Sequence, residues 1–188
     1  MLATLVAAFL STAAPEPLDP DLACIVDRVP AAARAVILTE TASEADGPAQ
    51  AALIDAATAC QAERDWTAEY AANAVMIATA LILGEEASKH LDSAGISVEL
   101  IDTWFDRQPR EIQTMGHMDD VVGEQVVRHL VGEGVALAHV EANAMQIGIY
   151  VGARMILARS ADGLGPPADP AVAVVNSRLQ GEMPVDGR

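Results

Sequence analysis

Between Tyr70 and Leu83 the chain carries no charged residue, and its apolar side chains fall at every phase of a helical turn. A helix that is apolar all round belongs at the centre of a bundle or in a membrane. The uncharged stretch between Glu69 and Glu85 is 15 residues long, short of the roughly 20 needed to span a bilayer. The pattern therefore predicts a long central helix. It begins at, or runs on through, Asp65 and stops at the glycine of Asp92-Ser93-Ala94-Gly95.

Amphipathic segments flank it. Leu22, Ile25, Val26 and Val29 share one face of a first helix opened by Asp19-Pro20. Pro30 breaks that helix and starts a second, expected from Ala31 to Ala42, and Asp46-Gly47-Pro48 repeats the start signal for a third reaching Arg64. Ser97 can cap a short helix with Val98, Ile101, Trp104 and Phe105 on one side, and Pro109 stops it before a brief turn through Arg110–Thr114. Asp119 or Asp120 caps the next, with Val122, Val126 and Leu130 inward, and Gly132 and Gly134 mark a bend. The last helix is expected from Val135 to Arg159. In it Ala144, Gly148 and Gly152 recur every four residues. Such a ridge of small residues predicts close packing against the alanine-rich central helix.

Composition sharpens the fold class. Apolar residues make up 52% of 188 and aromatic residues only 3%, so alanine, leucine, valine and isoleucine fill the interior. Alanine favours helix, and the aromatic residues that favour strands are scarce. The expectation is all-α: a single compact helical bundle of about six to seven helices around a central apolar helix. After Ser160 the chain turns to Gly, Pro and Asp, which predicts a flexible tail over 163–188.

Charge narrows the function classes. Eleven Lys and Arg stand against 27 Asp and Glu, a net charge of −16. That field repels phosphate backbones and anionic lipid surfaces, so no nucleic-acid partner is expected. It suits cationic partners, divalent ions or a solvated helical surface.

The N-terminus and the cysteines speak to location. Met1–Ala14 has no charged side chain and runs through an apolar stretch to Ser11-Thr12-Ala13-Ala14. This is the pattern of a signal peptide over 1–13, with the helical domain at 14–162 and no transmembrane span in the mature chain. The missing Lys or Arg at the start leaves an ordinary N-terminal helix as the alternative. Cys24 and Cys60 are the two cysteines, and Cys24 falls opposite the apolar stripe of its helix, beside Arg28. A cysteine off the stripe is better explained as half of a disulfide than as a buried thiol. Together these features predict a periplasmic or secreted bacterial protein.

Candidate chemistry is sparse. His117, Asp120 and Glu124 share a helical face, with His129 further along, and His with carboxylates can hold a divalent metal. Their spacing matches no His-Glu-x-x-His or Glu-x-x-His signature. The bland account has Asp119 and Asp120 capping a helix. Trp66, Tyr70, Trp104 and Met118 could line an apolar pocket, and Met115, Met145 and Met155 could join Met118 in a deformable groove. No Gly-x-Ser-x-Gly, phosphate loop or Cys-x-x-Cys occurs. No cofactor is expected. The expectation is a non-enzymatic envelope binding or interaction module with a protein partner; a metal site and an apolar-ligand carrier are the alternatives.

Overall fold

A computed structural model of the chain describes residues 20–39 and 47–163. The expected leader, Asp19, Asp46 and the chain from 164 onward lie outside the described residues. Within them are nine helices: α1 (Pro20–Arg28), α2 (Ala31–Val36), α3 (Pro48–Arg64), α4 (Ala68–Ser93), α5 (Val98–Asp106), α6 (Arg110–Gln113), α7 (Asp120–Gly132), α8 (Leu137–Ala142) and α9 (Ala144–Ala161).

Ser97 and Asp119 cap their helices as expected, and Thr67 caps the central helix where Asp65 was expected. The Thr67, Ser97 and Asp119 side chains accept the backbone N–H of Tyr70, Glu99 and Val122 at 3.1, 3.2 and 2.8 Å, capping α4, α5 and α7. Gly95, at φ 78°, ends α4 so that the Ile96 N–H reaches back to the Leu91 carbonyl at 2.9 Å. That is a Schellman closure, and it buries Ile96 completely. Gly134, at φ 96°, closes α7 in the same way, with Val135 N–H on the Leu130 carbonyl at 3.0 Å.

Three boundaries differ from the sequence expectation. The second helix ends at Val36 rather than near Ala42. Asp65 neither starts nor continues the central helix. It takes a left-handed conformation (φ 56°) that closes α3, and α4 opens only after Thr67. The expected helix from Val135 to Arg159 is two helices, broken at Asn143 (φ −115°, ψ 14°). There the buried Asn143 side-chain amide donates to the His139 carbonyl at 2.9 Å. A side chain thus occupies an acceptor four residues back that a continuing helix gives to a backbone N–H, which is why asparagine punctuates helices. This break and the one-turn α6 account for nine helices where six to seven were expected.

The central helix is α4, which packs on α1, α2, α3, α5 and, most extensively, α9. It links two apolar clusters. One gathers Ile25, Val29, Leu53, Ala57, Cys60, Val75 and Ile82 from α1, α3 and the first half of α4. The other gathers Leu91, Ile101, Trp104, Phe105, Val126, Leu130, Val151 and Met155 around the far end of α4. A run apolar at every phase is what a helix needs when neighbours cover it on several sides. Among the described residues no helix is long and apolar enough to cross a membrane.

Polar ties hold α5 and α6 along α9. Tyr150 donates to Asp102 at 3.0 Å, Arg154 bridges Asp102 and Asp106, and Arg110 pairs with Asp162. The Arg154 guanidinium also lies 5.3 Å over the Phe105 ring. Burial, then the negative charge of Asp102, pushes the Tyr150 hydroxyl up to about 12.

The two cysteines form a disulfide, Cys24–Cys60, with Cα atoms 6.1 Å apart. Cys60 is fully buried in the α1–α3–α4 cluster. Arg28, one turn beyond Cys24, lays its guanidinium on the bridge, 2.7 Å from Cys24 Sγ, and pairs outward with Glu63 at 2.6 Å. The bridge and the Arg28 neighbour are as expected, but Cys24 is not off the buried face: it is 6% exposed and packs in the same apolar cluster as Ile25 and Val29.

Candidate functional site

An open groove of about 550 Å³ runs between α4 and α9. One wall is Ala72, Val75, Met76, Thr79, Ala80 and Leu83 of α4. The other is Met145, Gly148, Ile149, Gly152, Ala153 and Ile156 of α9, and Gly116-His117-Met118 closes one side. The spans Ala72–Leu83 and Met145–Ile156 each correspond to roughly 16 Å of helix. The lining holds no Phe, Tyr or Trp ring. The Thr79 hydroxyl donates to the Val75 carbonyl at 2.8 Å, turning its proton back into its own helix. Ring nitrogens of the exposed His117 are the ionisable groups in the lining.

Glycines shape this groove, in a way that overturns the close-packing expectation for the Ala144–Gly148–Gly152 ridge. A β-carbon built on Gly152 would meet nothing within 4 Å, so this face of α9 does not abut α4. Ala144 at the head of the ridge is exposed. The tight approach lies one residue round the helix, where a β-carbon on Gly84 would come within 3.3 Å of Ala153 Cβ. Contact at Ala153 and Gly84 brings the helices together, and the missing side chain at Gly152 leaves the adjoining groove open. Met118 fits the same logic. Its terminal methyl would lie 3.2 Å from a β-carbon on Gly148 and 3.7 Å from one on Gly123, so two glycines make its seat between α7 and α9. Gly116, at φ 85°, gives the turn that delivers it.

The four residues expected at an apolar pocket separate. Met118 lines the groove. Trp104 is 5% exposed and belongs to the core around α5 and α7. Trp66 and Tyr70 pack on each other with centroids 5.2 Å apart. They edge a different, shallower depression with Asp21 and Arg64, and there Tyr70 donates to Asp21 at 3.0 Å while Arg64 pairs with it at 2.6 Å. Of the other methionines, Met145 lines the groove, Met155 is fully buried and Met115 packs on the core. Met76, which the sequence reading passed over, is a groove residue. Its position on the all-round apolar helix hid which side stays open.

The residues considered for a metal are placed as follows. His117 stands at the groove, and Asp120 and Glu124 are exposed on the first turns of α7. His129 directs Nε2 to the Leu100 carbonyl at 3.1 Å, which makes that nitrogen the protonated donor and removes it as a ligand. Asp119, not Asp120, is the cap of α7. Among the described residues, no group of three or more His, Cys, Asp or Glu is placed to hold a metal ion.

Comparison of the chain with protein-family models, with curated proteins and with solved structures returns no match.

Proposed function

We propose that this chain is a non-enzymatic, exported helical binding module that takes a small apolar ligand in the groove between α4 and α9. One observation carries the reading: a groove of ligand size whose lining is nearly all aliphatic, kept open by a glycine with free space above it. Pockets of some 300–1,000 Å³ with apolar walls and few polar groups are the usual form of small-molecule sites. Three methionines, Met76, Met118 and Met145, give walls that can adapt to the ligand. What supports export is the uncharged leader of Met1–Ala14. The Cys24–Cys60 bridge is compatible with an oxidising compartment.

The energetics are adequate. An aliphatic ligand burying about a dozen methylenes at ~0.8 kcal/mol each gains roughly 10 kcal/mol gross. Association costs at least about 4 kcal/mol, which leaves at most about 6 kcal/mol and a Kd of tens of micromolar or weaker.

The test is titration of a neutral solvatochromic dye, Nile red, into the mature disulfide-bonded protein and into Gly152→Leu. Saturable one-to-one binding that the substitution abolishes, with thermal stability retained, is the expected result. Absence of saturable binding, or equal binding by the variant, overturns the reading.

A further inference from the structure

Within the binding reading just stated, and resting on it, we infer that the groove selects an unbranched single-chain amphiphile whose head group is cationic, in preference to a carboxylate of the same chain. Two independent sets of observations lead there, one on shape and one on charge.

The groove follows two helices over roughly 16 Å and lies open at its surface, so its long axis is that of the α4–α9 pair. It offers no Phe, Tyr or Trp ring on which a flat fused-ring ligand could stack. Its walls are instead alanine and glycine backbone with flexible methionine and branched aliphatic ends. A slot with small residues along its length and adaptable thioethers at its sides suits a flexible alkyl chain.

The surroundings of the groove are acidic. The whole protein carries −16. Asp119 and Asp120 follow Met118 directly and are exposed, and Glu69 stands exposed one turn before Ala72 on the α4 wall. Arg159, one turn beyond Ile156, holds its guanidinium on the Thr114 carbonyl at 3.0 Å, two residues before Gly116, and sets one positive charge against these three carboxylates. An anionic head arriving at the rim thus meets a repulsive field, while a cationic head is drawn in. Protein surfaces of strong net charge carry potentials of one to several kT. With a potential little above one kT, exchanging a negative for a positive head group changes affinity by about tenfold.

The experiment is isothermal titration calorimetry of the mature disulfide-bonded protein with dodecyltrimethylammonium, 1-dodecanol and dodecanoate. Each is kept below its aggregation limit, at pH 8, first in low salt and then at roughly 0.5 M, where charges beyond a few ångströms are screened. The expected order of affinity is ammonium, alcohol, carboxylate, with about tenfold between the ends. High salt should close most of that gap, and Gly152→Leu should lose all three ligands. Dodecanoate binding as tightly as the ammonium compound, or a ranking indifferent to salt, overturns the head-group selectivity while leaving an apolar site standing. Saturable binding of none of the three removes the groove reading and this inference together. Sedimentation of the unliganded protein completes the test: a dimer that Gly152→Leu dissociates assigns the groove to a second copy and overturns the proposal.

Discussion

Three glycines on the α4–α9 pair should respond differently to the same substitution. Gly152 is in the interior of α9, with open space where its β-carbon would stand. Replacing it by alanine gains the helix-propensity difference, about 0.8–1.0 kcal/mol, and meets no opposing contact. For a domain of this size that is roughly 2–4 °C in Tm. Gly84 on α4 is the reverse case. Its new methyl would lie 3.3 Å from Ala153 Cβ, an atom fixed to the partner helix backbone. Relief requires the two helices to part, and overpacking of this kind costs about 1–3 kcal/mol. Set against the same propensity gain, Gly84→Ala should be net destabilising by about 1 kcal/mol. Gly148→Ala falls between them, because the atom it meets at 3.2 Å is the mobile end of Met118. It should change stability little while shifting Met118. Urea unfolding followed by circular dichroism at 222 nm, with the disulfide intact, measures all three. If Gly152→Ala destabilises as much as Gly84→Ala, the open face of α9 is in fact packed, and the groove argument is refuted.

Removing the bridge with the double substitution Cys24→Ala/Cys60→Ala should lower unfolding free energy by up to about 4 kcal/mol, the chain-entropy value for a loop of 36 residues. A loss under 1 kcal/mol in the same urea assay would show that the helices around Cys60 hold without it. The alkaline limb of stability should depend on Tyr150. Its hydroxyl keeps its proton up to about 12 in the folded chain and to about 10 when unfolded. Its contribution is therefore complete below pH 10 and lost as pH rises toward 12. Tyr150→Phe should flatten that fall in Tm relative to the parent protein, and parallel curves for the two would exclude the effect. Export is tested by intact mass of protein made in a bacterium with residues 1–14 in place. Loss of residues 1–13, with the bridge formed in the periplasmic fraction, is expected. A full-length cytosolic species would end the export reading.

Much of the helical plan was legible because its signals are local. Pro30, Gly47-Pro48, Ser97, Pro109, Asp119 and the glycines after α4 and α7 act on their own turns, and each marks a boundary in the structure. Asn143 is also local, but it was passed over because an asparagine inside an apolar pattern interrupts a helix only when its side chain takes the carbonyl four residues back. At the site, Met118 was legible as part of a methionine-rich groove. Trp66, Tyr70 and Trp104 were not correctly placed, since spacing groups side chains on one helix without saying which neighbour covers them.

The sequence by itself determined the all-α class and the central position of the Tyr70–Leu83 run, and it raised the Cys24–Cys60 bridge as an expectation. These follow from turn chemistry, from a run with no polar face, and from an even pair of cysteines. Only the tertiary structure decided that Ala153 and Gly84 make the α4–α9 contact, that Gly148 seats Met118 and that Gly152 faces open space. The physical reason is that a rotation of one helix by a single residue, about 100°, exchanges a packed face for an open one. That rotation is set by the summed fit of all the neighbours, which no local pattern contains.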